Sequence, residues 1–215
     1  FGVDAGAEYF AEIRSVEDFR ELTADKRFSH VPKLVLGGGS NILLTGNFNG
    51  LVIRNAIPGI QVAEETKTEV VVRAGAGENW HELVMWCVER NYGGLENLSL
   101  IPGRAGAAPI QNIGAYGAEL KDVFCALEAI EIGSGAHVKF SGEECKFGYR
   151  DSVFKHKFRG QFLISAILLK LKKLSACGAS YQYQTEYSDL RAMLDTLKVQ
   201  DLSLKVVSDA VCRIR

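Results

Sequence analysis

Seventeen residues from Ile101 to Gly117, Ile-Pro-Gly-Arg-Ala-Gly-Ala-Ala-Pro-Ile-Gln-Asn-Ile-Gly-Ala-Tyr-Gly, hold four glycines, two prolines and no acidic group. Glycine and proline both disfavour an amphipathic helix, and the stretch is too apolar for a solvated linker. Such a segment is ordered where the backbone must bend sharply and come close to something else. Its free amides, with Gln111, Asn112 and Tyr116, suit a flat, polar, phosphate-bearing ligand.

Lys33-Leu-Val-Leu36 reads as a short buried strand that empties into Gly37-Gly-Gly-Ser-Asn41. Consecutive glycines leave N–H groups unshielded, which is how a backbone nest holds an anion. A tight strand-to-strand turn is the plainer alternative. Ile42 follows, with no helical pattern after it, so a Rossmann fingerprint is not expected. In Lys146-Phe-Gly-Tyr-Arg-Asp-Ser152, Gly148 permits an unusual turn from which Tyr149 and Arg150 project. A permanently charged, fork-shaped guanidinium suits an anionic substrate or a developing oxyanion. The alternative is a surface arginine paired with Asp151.

The elements that must position these residues are α+β in order. Ala11 to Ile13 is expected as a strand, and Ser15-Val-Glu-Asp18 as a capping box opening a helix to about Ala24. Strands follow at Lys33–Leu36, Leu51–Arg54 and Glu69–Ala74, with a composition break at Ala56-Ile-Pro-Gly59 and a turn at Gly75-Ala-Gly77. Asn41–Leu44 reads as extended. Asn79 caps a helix with Trp80, Leu83, Val84, Cys87 and Val88 on one face and Gly93 as its stop signal. Ala126–Ile132 and His137–Phe140 read as a hairpin, and Phe162–Leu171 as a long apolar strand. Ser203 caps a last helix whose apolar face is Val206, Val207, Ala210, Val211 and Ile214. That face runs to the final residues without a terminator, which is expected of a chain cut from a longer one; a natural C-terminal helix docked on the domain is the alternative.

A net charge of −1, with 24% charged and 47% hydrophobic residues, is that of an ordinary globular protein of one large or two small domains. It offers no basic stripe for nucleic acid. No apolar run has the length of a membrane span, and no signal peptide is expected at the head of the chain. Five widely spaced cysteines without a C-x-x-C pair point away from a disulfide framework or zinc site and toward a reducing, cytoplasmic compartment. No metal and no obligate protein partner are expected.

Taken together, Gly37-Gly-Gly-Ser-Asn41, Ala74-Gly-Ala-Gly-Glu-Asn-Trp80, Gly94-Leu-Glu-Asn-Leu98, Pro102 to Gly117 and Phe147-Gly-Tyr-Arg-Asp-Ser152 resemble, in order and spacing, the UDP-N-acetylenolpyruvoylglucosamine reductase (MurB) family of flavoenzymes. The resemblance spans nearly the whole chain. It implies a two-subdomain, α+β FAD-binding fold of the vanillyl-alcohol-oxidase and p-cresol methylhydroxylase (PCMH) type, with residues 1–55 as the first subdomain and 56–215 as the second. It implies that Gly38, Gly39, Ser40 and Asn41 contact the FAD phosphates. Gly37, Ile42, Ile101, Pro102, Gly103, Gly106, Ala107, Ile110, Asn112, Gly114 and Ile164 complete the cofactor contacts. Ala107-Ala108 stands where some members carry two serines, so hydroxyl hydrogen bonds to the cofactor are lost there.

The implied reaction takes hydride from NADPH through FAD to UDP-N-acetylglucosamine enolpyruvate, giving UDP-N-acetylmuramate for peptidoglycan, and so serves cell-wall biogenesis, cell shape and division. Arg150 matches the catalytic arginine. Tyr116, Tyr149, Tyr187 and Arg215 match the substrate side, Tyr187 on a covering loop. The resemblance implies that the C-terminal substrate-binding domain of the family, with its proton-donating serine and positioning glutamate, is expected to be missing from these residues, and poor turnover by this chain alone is expected. The alternatives are an FAD oxidoreductase of the same fold with another substrate, and a non-catalytic FAD-binding module.

Overall fold

The computed structural model describes residues 4–215. Its first part is a parallel three-stranded sheet in the order β1-β3-β2, built from β1 (Ala7–Ile13), β2 (Lys33–Leu36) and β3 (Phe48–Asn55), with helix α1 (Val16–Ala24) after β1. Ser15 and Asp18 cap α1 reciprocally, as their spacing predicts. Its Phe19 is fully buried with Ile13, Phe28, Leu51 and Ile53.

The second part is a larger sheet of antiparallel pairs. It contains β4 (Ile60–Glu65), β5 (Glu69–Gly75), the two-residue β6 (Tyr92–Gly93), and further along β9 (Phe124–Glu131), β10 (His137–Ser141) and β11 (Phe162–Lys173). The order is β10-β9-β11-β5-β4, with β6 pairing the far end of β11. Between β6 and β9 lies the small ribbon of β7 (Gly114–Ala115) and β8 (Ala118–Glu119). Helix α2 (Trp80–Glu89) covers the large core with the five residues its period selects. The short turns α3 (Gly142–Cys145) and α4 (Leu174–Cys177) follow β10 and β11. The helices α5 (Ser188–Thr196) and α6 (Leu204–Ile214) share a cluster in which Leu190, Leu194, Val207, Ala210 and Val211 are buried. Ser203 accepts from the Val206 N–H, as expected of its cap. Among the described residues no helix is long and apolar enough to cross a membrane.

Three expectations are adjusted, and one strand, β4, has no counterpart among them. Strand β1 begins at Ala7 rather than Ala11. Residues Asn41–Leu44 belong to no strand. Strand β4 leaves no alternating trace because it is a mostly exposed edge, with even Val62 turned to solvent. Helix α2 stops before Asn91, whose φ of 56° takes the left-handed position, while Gly93 sits in β6.

Close backbone approach joins the two sheets. A Cβ on Gly77 would lie 2.3 Å from the Ala56 carbonyl carbon, and one on Gly75 would lie 2.5 Å from the carbonyl oxygens of Ile57 and Pro58. The vacated space lets the Gly75 N–H donate to the Gly59 carbonyl at 2.7 Å and the Gly77 N–H to that of Ile57 at 2.8 Å. A register irregularity around Ser165 in β11 leaves carbonyls free to turn outward. The Ser165 carbonyl accepts from the Ala76 N–H at 2.9 Å, and the Ile164 carbonyl accepts from the buried Asn55 side chain at 2.7 Å. Asn55 thus ends β3 while holding the central strand of the other sheet.

All five cysteines are free. Burial pushes the thiols of Cys87 and Cys145 up to about 12, the nearby Glu144 adding to the effect at Cys145. Two outcomes are expected. Gly77→Ala lowers stability by about 1–3 kcal/mol, read as a shifted urea midpoint, because backbone rather than a pliable side chain meets the new methyl. At about pH 8 a thiol reagent labels exposed Cys125 in the native protein but reaches Cys87 and Cys145 only on unfolding; rapid native labelling of either would contradict this burial.

Candidate functional site

Strand β2 delivers Gly37-Gly38-Gly39 to the wall of a cleft. Gly39 has a φ of 69°, and nothing lies within 4 Å of where its Cβ would be. Opposite runs the start of the 101–117 segment. Gly103, with a φ of 128°, passes so close that a Cβ on Gly38 would touch its Cα at 3.5 Å. Ser40 Oγ donates to the Pro102 carbonyl at 3.2 Å, and Asn41 Nδ2 donates to Gln111 Oε1 at 2.8 Å. These contacts fix the two glycine segments against each other. Among the described residues, the N–H groups from Gly38 to Asn41 find no backbone acceptor in the chain.

The 101–117 segment is itself a short 3₁₀ stretch, Ala105–Ile110, with Pro109 inside it. The tight form is possible because Gly106 lies against Ala76, where an added Cβ would come within 2.5 Å of the Ala76 methyl. The N–H groups of Ala105 and Gly106 donate to the carbonyls of Glu78 and Ala76, both at 2.9 Å.

The cleft has two hollows of about 280 and 770 Å³ that share Val35, Gly37, Ala107, Ile110 and Lys155. The first also takes in Gly38, Gly39, Ser40, Asn41, Ile42, Ile101, Pro102 and Gly103. The second takes in Gly106 and Ile164. Among the described residues no carboxylate lines either, whereas Lys33, Arg104, Lys155, His156 and Arg159 do. An anion entering this cleft therefore meets positive charge and unshielded amides together.

Asn112 and Gly114 line neither hollow. Asn112 is fully buried with a φ of 43°. Its Nδ2 donates to the Gly148 carbonyl at 2.9 Å and Glu119 Oε2 at 3.1 Å, while its Oδ1 accepts from the Lys121 N–H at 3.0 Å. Glu119 is held below the usual carboxylate range by Lys121 first, then by Asn112 and Arg150. Asn112 thus ties the end of the cleft segment to the 148–151 turn.

That turn differs from expectation in one respect. The left-handed residue is Arg150, with a φ of 53°, and not Gly148. Gly148 and Asp151 exchange backbone hydrogen bonds at 3.1 and 3.3 Å. Asp151 pairs with His156 at 2.8 Å rather than with Arg150. The Arg150 guanidinium instead donates from Nη2 to the Gly114 carbonyl at 2.7 Å. It lies in a third hollow of about 440 Å³ with Gly114, Tyr116, Tyr149 and Tyr187. Tyr116 and Tyr187 meet edge to face at 5.5 Å, and the Arg215 guanidinium lies 5.5 Å from the Tyr116 ring. Four residues matched to the substrate side, and the arginine matched to catalysis, are therefore neighbours. They are contributed by β7–β8, the 148–151 turn, the start of α5 and the end of α6.

Lys155, Arg104, Trp80 and Gln111 also line the first hollow. Trp80, on the buried face of α2 and at the end of the Ala74–Trp80 motif, donates its indole N–H to the Leu98 carbonyl at 2.9 Å. Lys155 lies three residues past the 146–152 motif, and only a turn after Ser152, which caps residues 153–155, could have pointed to it.

Residues 7–141 match the FAD binding domain family. A curated relative from Amoebophilus asiaticus, UDP-N-acetylenolpyruvoylglucosamine reductase, is 45% identical over 215 residues, covering all of this chain and 62% of the relative. Among solved structures, UDP-N-acetylenolpyruvylglucosamine reductase (MurB) from Thermus caldophilus superposes with a TM-score of 0.63 at 24% identity, over 96% of this chain and 62% of that one. The nicotine oxidase 6-hydroxy-D-nicotine oxidase from Arthrobacter nicotinovorans superposes at 0.61 with 14% identity, over 80% of this chain and 38% of that one. The architecture is the α+β flavoprotein fold of the vanillyl-alcohol-oxidase and p-cresol methylhydroxylase type. With its glycine-walled, acid-free cleft and a family match across most of its length, the chain belongs to the FAD binding domain family.

Proposed function

We propose that this chain is the FAD-binding part of a reductase of peptidoglycan precursor synthesis. Its reaction is the NADPH-dependent reduction of UDP-N-acetylglucosamine enolpyruvate to UDP-N-acetylmuramate, in the cytoplasm. The chain spans about 62% of the length of the reductase it matches from Amoebophilus asiaticus. The observation that carries the reading is the 101–117 segment. One end walls the cationic cleft, and the other places Tyr116 beside Arg150 and Tyr187. Cofactor and substrate sites are thereby built on one piece of backbone.

The cleft fits FAD in kind. Gly37–Ile42 with Ile101, Pro102 and Gly103 would hold the diphosphate through amides and the Ser40 and Asn41 side chains. Gly106, Ala107, Ile110 and Ile164 give the apolar wall a ring system needs. In this reading Asn112 and Gly114 serve as scaffold for the cofactor segment. The division at residues 55/56 would place the cleft between two subdomains. When bound, FAD supplies a carrier that accepts hydride from NADPH and passes it to the enolpyruvyl group. Ala107 and Ala108 bring methyl groups rather than hydroxyls to the cleft, and the N–H groups of Ala105, Gly106 and Ala107 already donate to carbonyls of the chain, so this part of the wall would meet the cofactor through apolar contact.

Arg150 serves the chemistry that follows. Reduction of the enolpyruvyl double bond develops negative charge on its carboxylate side. A guanidinium already oriented by the Gly114 carbonyl stabilises that charge without reorganising. Tyr116 and Tyr187 offer an aromatic corner for the uridine and sugar faces. Arg215 and Tyr149 flank it and would meet the nucleotide's diphosphate and the enolpyruvyl carboxylate.

The purified chain is expected to carry a flavin absorption spectrum that survives desalting after incubation with FAD. A colourless product would remove the cofactor assignment. Addition of UDP-N-acetylglucosamine enolpyruvate is expected to perturb that spectrum. Arg150→Lys should weaken the response about tenfold while FAD affinity holds within about twofold. An undiminished response in the variant would remove Arg150 from the substrate site.

A further inference from the structure

We infer that Lys155 is a positioning residue that couples occupancy of the cofactor cleft to the backbone geometry of Arg150. The inference rests on the proposed function above. Lys155 lines both hollows of the cleft. Its Nζ donates to the main-chain carbonyl of Arg150 at 2.7 Å. Arg150 is the residue forced into the left-handed region, with a φ of 53°. For a non-glycine residue that conformation persists only where the surroundings impose it.

Two contacts impose it here. The guanidinium is held by the Gly114 carbonyl at 2.7 Å, and the carbonyl is held by Lys155. Lys155 is itself well placed. It closes the turn capped by Ser152, a buried residue whose Oγ donates to the Ile110 carbonyl at 2.7 Å on the cleft wall.

An ammonium has three N–H donors. One is committed to Arg150, which leaves donors for an anionic group in the cleft. A bound diphosphate-bearing cofactor and the Arg150 carbonyl would then share a single cation. Whatever fixes the ammonium from the cleft side also fixes the turn that aims the guanidinium. By reciprocity, the turn geometry contributes to cofactor affinity. The chemistry of the ligand is that of a dinucleotide, and the effect on the reaction is indirect, through Arg150.

The test is a cycle of FAD dissociation constants, read by quenching of flavin fluorescence, on the 215-residue chain and its Lys155→Met, Arg150→Gly and doubly substituted forms. Lys155→Met is expected to weaken FAD binding about tenfold, with the melting temperature of the cofactor-free protein unmoved. Lys155→Arg should recover most of the affinity, since it keeps a cation that can donate to a carbonyl. In the Arg150→Gly background, where the left-handed position needs no support, the Lys155→Met effect should shrink to about threefold or less. Affinity of Lys155→Met within about twofold of the parent overturns the inference, as does an equal loss in both backgrounds. Failure of the parent chain to bind FAD at all overturns the cofactor assignment instead. Should Lys155→Met not fold, the Lys155→Gln variant carries the same comparison.

Discussion

Everything in this molecule depends on how closely three pieces of backbone approach one another around Ala76. Ala76 sits between two glycines that admit the 56–59 crossover on one side, and its own carbonyl receives the Gly106 N–H on the other. Its N–H reaches the Ser165 carbonyl, which the irregular register of β11 has turned out of the ladder. Side chains at Gly75, Gly77 or Gly106 would push these layers apart. The glycines therefore contribute through absence, since they let main-chain hydrogen bonds replace the side-chain packing that normally joins two sheets. Asn55 adds the buried polar tie between β3 and β11. The cleft lies along this junction, so its walls are set by covalent geometry and hydrogen bonds rather than by adaptable side chains.

Strain is concentrated where the chemistry is proposed. Asn112, Tyr116, Lys146 and Arg150 all adopt positive φ values without being glycine. Asn tolerates that region because its short polar side chain finds local partners, and Asn112 has three. Tyr116 and Arg150 have no such intrinsic excuse. They are held by aromatic contact with Tyr187 and by hydrogen bonds to Gly114 and from Lys155. A flexible loop would present the same side chains with far less certainty of direction, and an arginine that stabilises transient charge is useful only if it need not search.

How much of this was legible in the sequence follows from which interactions are local. The caps at Ser15, Asn79 and Ser203, the buried face of α2 and the hairpin of β9 and β10 all come from spacings of a few residues, and the sequence shows them. The glycine segments were visible as exceptions to ordinary composition. What they pack against was not, because the approach of Gly77 to Ala56 or of Gly38 to Gly103 is a long-range fact. Edge strand β4 was hidden for a different reason. Five of its six residues are exposed, on both faces, so no buried face imposes hydrophobic alternation. Lys155 escaped notice as a structural tie because its partner is a main-chain carbonyl, which carries no sequence signature, and Asn112 because its partners are two backbone groups and a carboxylate seven residues away. Gly148 drew attention to the right turn but to the wrong residue, since a glycine suggests the left-handed position and Arg150 occupies it.

The charge distribution separates the two halves of the site more sharply than the fold does. The cleft is lined by cations without a carboxylate, whereas the Arg150 hollow contains Glu119 and Asp122. Glu119 is neutralised locally by Lys121 and by the hydrogen bond from Asn112. Among the described residues the Arg150 guanidinium has no carboxylate within ion-pair distance; its hydrogen-bond contact is a neutral carbonyl. An arginine locked to an acid would have to break a charge pair to meet an anionic substrate. One oriented by a carbonyl keeps its full charge available. The segment between Asn112 and Glu119 thus does two things with one set of hydrogen bonds. It braces the strained turn, and it commits the Glu119 carboxylate to hydrogen bonds with Lys121 and Asn112, leaving only a Coulomb interaction between that carboxylate and the arginine.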